Sequence, residues 1–220
     1  MAQLFPMLVR PLSYLMPLYG QGLKRPSVMR LGLMASNLLD LRRNAGLAEA
    51  LRLPAGCVLD AAATRQEFPL VRPEGLQGAA CWSDYFMVSS ERILMELLRD
   101  ACRHGAIALN YAPVVEIVAE DGRARGVQLR DRLSSRVHTI SARRVANCTG
   151  PRLAELARDP AREAARVFRP SLAMNLLLDL KLPGRHALAV AAPWPDAPIL
   201  FLLPLAESLL AGTLHLPRPI

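Results

Sequence analysis

SSERILMELLRDACRHGAIALNYAPVVEIVAEDGRARGVQLR, residues 89–130, carries the change of period that decides the fold. Ile93, Leu94, Leu97, Leu98, Ala101 and Cys102 fall on one stripe at the helical repeat. Ser89 or Ser90 can cap that helix, Glu91 lies in its first turn, and Arg103, His104 and Gly105 suit its end. Beyond Gly105 the spacing shortens to that of strands. Segments 107–111 and 114–120 read as strands, and Asp121-Gly122 as a tight turn. Segment 126–130 returns with Val127 and Leu129 on one face, and 137–142 is a fourth strand. Short connections make this meander antiparallel. The apolar stripe of the helix is expected to pack onto it.

Upstream, Val28, Leu31, Met34, Leu38, Leu39 and Leu41 predict a helix over about 27–44, with Arg42 and Arg43 in its last turn and Gly46 as its stop. Residues 1–20 read as loop and short extended pieces, because Pro6, Pro11 and Pro17 each remove a backbone donor. Residues 47–80 read as irregular, punctuated by Pro54, Pro69, Pro73, Gly75 and Gly78. Downstream, 144–148 reads as a buried strand that ends at Thr149-Gly150-Pro151 and enters a short helix over 153–158. Segments 173–180, 199–203 and 208–213 are further strands, the last two joined through Pro204. A helix, a meander, a strand–turn–helix and more strands make the fold mixed α/β (α+β).

Composition narrows the function. The chain has 220 residues, with 27 Lys+Arg against 19 Asp+Glu, a net charge of +8. Only Lys24 and Lys181 are lysines. The excess suits an anionic partner, or reflects a chain rich in Arg, Ala and Leu, since the arginines are spread rather than blocked. A nucleic-acid binder is not expected, because interleaved aromatics and a single basic face are missing from the sequence. Cys57, Cys81, Cys102 and Cys148 form no C-x-x-C pair and stand at no metal-ligand spacing from His104, His138, His186 or His215. Neither a metal site nor a disulfide scaffold is expected, and a reducing compartment is the simplest reading. The opening MAQLFPMLVRPLSYLMPLYG lacks the basic start and unbroken apolar run of a secretory signal. The expected location is the cytoplasm, with any membrane contact peripheral and at the inner face.

The strand end at Thr149-Gly150-Pro151 is the most informative local feature, because a glycine there lets a ligand approach the backbone closely. An ordinary strand-to-helix turn would look the same. Its surroundings add more. VRPLSYLMPLY (9–19), VMRLGLMASNLLD (28–40), WSDYFMVSSERILMELLRDACRHGA (82–106), NYAPVVEI (110–117), RRVANCTGP (143–151), RPSLAMNLLLD (169–179) and LFLLPLAESLLAGTLHLP (200–217) recur in order. In that order they resemble the FAD-dependent glycerol-3-phosphate dehydrogenase family, within the D-amino-acid-oxidase-like flavoprotein oxidoreductases.

The resemblance implies an FAD cofactor and oxidation of the secondary alcohol of a small anionic substrate, glycerol 3-phosphate. Hydride passes to the flavin, and electrons pass on to a quinone or another acceptor. It implies part of a three-layer FAD-binding domain carrying the meander at 80–165, and part of a mixed-sheet substrate domain at 1–79 and 166–220. Thr149, Gly150 and Pro151 would lie against the flavin nucleotide, with the turn facing a cleft. Val114 would touch the adenine side through its backbone, although a strand valine also serves a core. Gly212 and Thr213 would end a strand near the flavin ring. Arg169, in R-P-S, would meet the substrate phosphate with its guanidinium fork, or else be a solvated arginine at a strand start. Asn175 would lie on the substrate side.

Several positions depart from the family pattern. Leu172, Ala173 and Asn175 replace a lysine, a glycine and a histidine. Leu214 and His215 stand in place of Thr-Asp, and Ser89 and Ser90 in place of two acids. The dinucleotide fingerprint G-x-G-x-x-G is absent from these residues, the close pair Gly20 and Gly22 having no third glycine in register. The chain therefore reads as an interior portion of the family sequence, and tight FAD binding by it alone is not expected. The alternative is a non-catalytic ligand-binding or interaction module descended from the same fold.

Overall fold

The computed structural model describes residues 2–20, 22–156, 171–191 and 197–217. They form a mixed α/β structure with a seven-stranded sheet, in the order β2 (Cys57–Leu59), β3 (Gly78–Met87), β1 (Val9–Leu18), β8 (Ala187–Ala191), β9 (Ile199–Leu205), β10 (Ser208–Pro217) and β7 (Ser171–Leu178), and a three-stranded sheet, β4 (Val114–Glu120), β5 (Arg123–Arg130) and β6 (Val137–Ser141). The chain divides into two compact units, Met1–Glu96 with Ala173–Leu214, and Leu97–Leu172 with His215–Ile220.

In the first unit, β1 (Val9–Leu18) is a ten-residue strand where a loop was expected. It pairs antiparallel with β3 (Gly78–Met87) along its whole length, from Val9 opposite Met87 to Leu18 opposite Gly78. Its prolines are tolerated for a reason of direction. The Val88 N–H donates to the Leu8 carbonyl at 2.9 Å. By ladder alternation the even-numbered residues of β1 therefore turn their backbone groups toward β3, and Pro11 and Pro17 turn theirs away. On that far side β8 (Ala187–Ala191) pairs with β1, in parallel, at Tyr14 and Leu15. Neither proline is asked for a donor.

Residues 47–80, read as irregular, hold two further elements besides a 3-10 turn at Glu49–Leu51. These are β2 (Cys57–Leu59), the short antiparallel partner of β3, and α2 (Ala61–Glu67). Asp60 caps α2, its Oδ1 accepting from the Ala63 N–H at 2.8 Å. Ahead of them α1 (Pro26–Leu39) opens with a proline in its first turn and ends earlier than expected, with Asp40 as C-cap. Two asparagines then stitch the following loop. Asn37 Nδ2 donates to the Gly56 carbonyl and its Oδ1 accepts from the Gly56 N–H, both at 2.9 Å. Asn44 does the same to Leu53, at 2.8 and 2.9 Å.

The sheet continues through β9 (Ile199–Leu205) and β10 (Ser208–Pro217) to β7 (Ser171–Leu178) at its edge. The β9–β10 hairpin turns at Ala206-Glu207, after Pro204 rather than through it. One core cluster packs Leu15, Ala79 and Leu188 of the sheet against Phe68 and Val71 behind α2. Another gathers Ala2, Val9, Leu47 and Ile93.

The second unit holds the meander. β4 (Val114–Glu120) and β5 (Arg123–Arg130) join at Asp121 and Gly122, whose φ values of +47° and +74° are those of a tight primed turn. β6 (Val137–Ser141) pairs antiparallel with β5. Three expectations fail here. Segment 107–111 pairs with no described strand and ends at Tyr111, which is left-handed at φ +54°. Segment 144–148 is not a buried strand: it joins no ladder and is mostly exposed, and a strand needs a hydrogen-bonded neighbour that the described residues do not supply. The helix α3 (Ser90–Arg103) forms where predicted, but its apolar stripe is not packed on the meander. Ile93 is buried in the first unit's core, while Leu94, Leu97 and Leu98 remain exposed.

Candidate functional site

The expected site residues fall into two groups, one in each unit. In the second unit, Thr149 and Gly150 are exposed at the entrance to a 3-10 turn spanning Gly150–Leu156, which lies against β4. Asn147 shapes the bend. Its Oδ1 accepts from the Thr149 hydroxyl at 2.7 Å and from the Thr149 N–H at 3.3 Å, and its Nδ2 donates to the Leu153 carbonyl at 3.2 Å. Gly150 follows at φ +56°, and no neighbouring atom stands within 4 Å of where a Cβ would project. The glycine is needed for backbone conformation, and its α-carbon faces open space. Pro151 is the next residue of the turn. Val114 begins β4 opposite Leu129 and is exposed, so it is not a core valine; the core position is Leu129.

In the first unit, Asn175 on β7 and Gly212 on β10 are brought together. A Cβ built on Gly212 would stand 2.1 Å from Asn175 Oδ1. Gly212 is buried, and its missing side chain makes room for the Asn175 amide. Thr213 follows, half-buried. Of the residues that depart from the family pattern, His215 Nδ1 lies 3.4 Å from the Ser171 hydroxyl in the second unit, and Leu172 and Leu214 are exposed. Arg169 lies outside the described residues.

Sequence reasoning missed an aromatic face. The registers set Tyr14 opposite Trp82 and Ala187, Phe201 opposite Ala189, and Gly212 opposite Phe201, so all of these share one face of the large sheet. Tyr14 and Trp82 stack with centroids 5.4 Å apart. Ala187 and Ala189, 0% and 1% exposed, are small enough for Tyr14 and Phe201 to meet edge to face across β8, at 5.8 Å. On the same face Arg10 stacks over Phe86 at 5.1 Å from the ring centroid. Burial, and then the Asp84 charge, push the Tyr14 hydroxyl above its ordinary pKa. A groove of about 540 Å³ adjoins this surface, lined by Met29, Leu33 and Ser36 of α1 and by Met16, Trp82 and Asp84 of the sheet. No sequence signal short of the strand register assembles this face, because 1–20 reads as loop and short extended pieces and 47–80 as irregular.

The family profile described as FAD dependent oxidoreductase matches residues 19–217. Among curated relatives, the aerobic glycerol-3-phosphate dehydrogenase of Bacillus subtilis is 28% identical over 157 residues, covering 71% of this chain and 28% of its own length. Glycerol-3-phosphate dehydrogenase 1 of Mycobacterium tuberculosis is 29% identical over 208 residues, covering 93% of this chain and 37% of its own length. The alpha-glycerophosphate oxidase of Streptococcus pyogenes is 29% identical over 215 residues, covering 96% and 34%. The chain thus spans about a third of the length of these relatives. Among solved structures, the glycerol-3-phosphate dehydrogenase of Bacillus halodurans complexed with FAD matches with a TM-score of 0.62 at 23% identity, covering 98% of this chain and 36% of that one. The L-proline dehydrogenase of P. horikoshii matches with a TM-score of 0.65 at 12% identity, covering 99% and 53%. These two likenesses speak for the fold.

Proposed function

Because the chain belongs to the FAD dependent oxidoreductase family, we propose that it forms part of an enzyme oxidising the secondary alcohol of a small anionic substrate, sn-glycerol 3-phosphate, with a quinone or another acceptor taking the electrons. FAD, when bound, accepts the hydride from the carbinol carbon. The chain's own residues bind and orient. Thr149, Gly150 and Pro151 lie against the nucleotide, and the Val114 backbone lies toward its adenine side. The observation that carries this reading is the exposed bend that Asn147 shapes at Thr149 and Gly150, which leaves the main chain open to close approach. Tight retention of FAD by residues 1–220 alone is not part of the proposal, since the glycine-rich fingerprint is absent from them.

On the substrate side, Arg169 supplies the guanidinium fork for the phosphate, and Arg10 on the aromatic face is the second candidate. Gly212 and Thr213 lie toward the ring, with Asn175 held against Gly212. Tyr14, Trp82 and Phe201 offer an apolar aromatic wall that keeps water from the reacting carbon. On function, 80–165 is the cofactor-binding portion, and 1–79 with 166–220 is the substrate-binding portion. We place the protein in the cytoplasm, peripheral to the inner face of the membrane. The four free cysteines and the charge of +8 support that placement. No helix among the described residues is long and apolar enough to cross a membrane.

The test is the visible flavin spectrum of the native gene product under anaerobic conditions. Bleaching by sn-glycerol 3-phosphate but not by glycerol, and recolouring by a quinone analogue, are expected. A flavin-loaded protein that glycerol 3-phosphate leaves yellow would overturn the substrate, and a protein that takes up no flavin would overturn the enzyme. Leu172 and Leu214, exposed and apolar where the family has polar groups, favour the second reading of a non-catalytic binding module. Under that reading Leu172→Lys, Asn175→His and His215→Asp together would leave turnover at zero.

A further inference from the structure

The sheet's free edge holds a chemical feature that the flavin reading does not use. β2, a three-residue strand, ends the seven-stranded order, and its Cys57 stands directly opposite Cys81 of β3. Odd-numbered residues of β3 turn their backbone groups away from β1, toward β2, so Cys57 and Cys81 form a hydrogen-bonded antiparallel pair. Such a pair holds its α-carbons about 5.5 Å apart, inside the range of about 4.4–6.8 Å that a disulfide spans, and its β-carbons must draw in from about 5.5 Å to about 4.5 Å to close the bond. Both thiols are free. Cys57 is exposed, while Cys81 is half-buried behind it.

We propose that Cys57 and Cys81 are a redox-modification site, a dithiol that hydrogen peroxide converts to an intramolecular disulfide. The exposed thiol reacts first. The Cys57 thiolate attacks one peroxide oxygen, the O–O bond breaks, and hydroxide leaves, giving a sulfenic acid at Cys57. Cys81 then attacks the Cys57 sulfur, and the S–O bond breaks. The departing hydroxide takes the Cys81 proton and leaves as water. Two thiols and one peroxide give one disulfide and two waters.

The surroundings fix that order of attack. Burial first, and then its neighbours Cys57 and Glu67, push the Cys81 thiol up to about 12. Cys81 is therefore a poor first nucleophile and serves as the resolving thiol. The disulfide would tie β2 to β3 covalently. Through the Asn37–Gly56 pair of hydrogen bonds it would also restrain α1, which walls the groove beside Trp82.

The experiment treats the folded 220-residue chain with hydrogen peroxide in a Cys102→Ser, Cys148→Ser background. It then maps peptides without reduction. A peptide linking Cys57 to Cys81 is expected, reversed by dithiothreitol and not formed at the same dose in urea. Cys81→Ser should leave Cys57 trapped in a dimedone-reactive form, and Cys57→Ser should leave Cys81 unoxidised. Cys57 driven to sulfinic acid while Cys81 still alkylates after unfolding would overturn the proposal, as would equal cross-linking in folded and unfolded chains.

Discussion

Asn37 does the work of two ladder rungs from a helix, engaging both backbone groups of Gly56 at 2.9 Å. A carboxylate at that position could accept from the Gly56 N–H but could not donate to its carbonyl. Asn37→Ala is expected to cost about 1–3 kcal/mol, from two backbone groups left without partners. Thermal or urea unfolding against the parent chain measures it. A cost near zero would mean that water replaces the amide freely. Cys81 gives a second prediction at this scale. Its neutral thiol is favoured by the folded state, so the associated stability is whole below the free thiol's 9.0 and is lost as pH rises from there to about 12. Cys81→Ala should flatten the alkaline decline in unfolding free energy over that window. Tyr14 and Tyr19, also raised by burial, would keep a part of the decline at its upper end.

Elements that fix their own period were legible in the sequence, and elements that depend on neighbours were not. The helix α3 and the β4–β5 hairpin declare themselves through an apolar stripe and an Asp-Gly turn. β1 did not, because the direction of a proline's missing donor relative to its neighbours is a tertiary fact. Segment 144–148 failed in the opposite sense: an apolar run looks like a strand whether or not a partner is beside it. For the candidate site, the Thr149–Gly150 bend could be read from its glycine, whereas the Tyr14–Trp82–Phe201 face needed four strand registers. β7 makes the prediction at this scale. It is an edge strand whose residues are all exposed, with Leu172 at 57%, Leu176 at 55% and Leu177 at 66%. Such an edge invites pairing with another chain. Leu172→Lys with Leu176→Lys should lower concentration-dependent self-association, read by sedimentation, without lowering the unfolding temperature. Unchanged association would place the sticky surface elsewhere.

At the scale of the molecule, most of the seven-stranded sheet belongs to the first compact unit and the three-stranded sheet to the second. The first has buried clusters behind the sheet, with Leu15, Leu18 and Ala79 fully inaccessible. The second buries little: Leu129 is covered, while β6 is exposed along its length. Protection against hydrogen exchange tracks that burial. Amides of β4 to β6 are expected to exchange through an opening lower in free energy than the one that frees β1 and β3. One common protection level across both sheets would show a single cooperative unit instead. Finally, Gly150 separates two properties that usually travel together, since its φ is +56° although nothing crowds it. The constraint is one of handedness. An L-alanine there would be strained by about 1 kcal/mol, whereas its mirror-image residue, introduced by semisynthesis, would rest in its ordinary backbone basin. A loss of affinity for FAD with the D-residue, against an undiminished fold, would therefore report a ligand pressing on that carbon and not the turn itself.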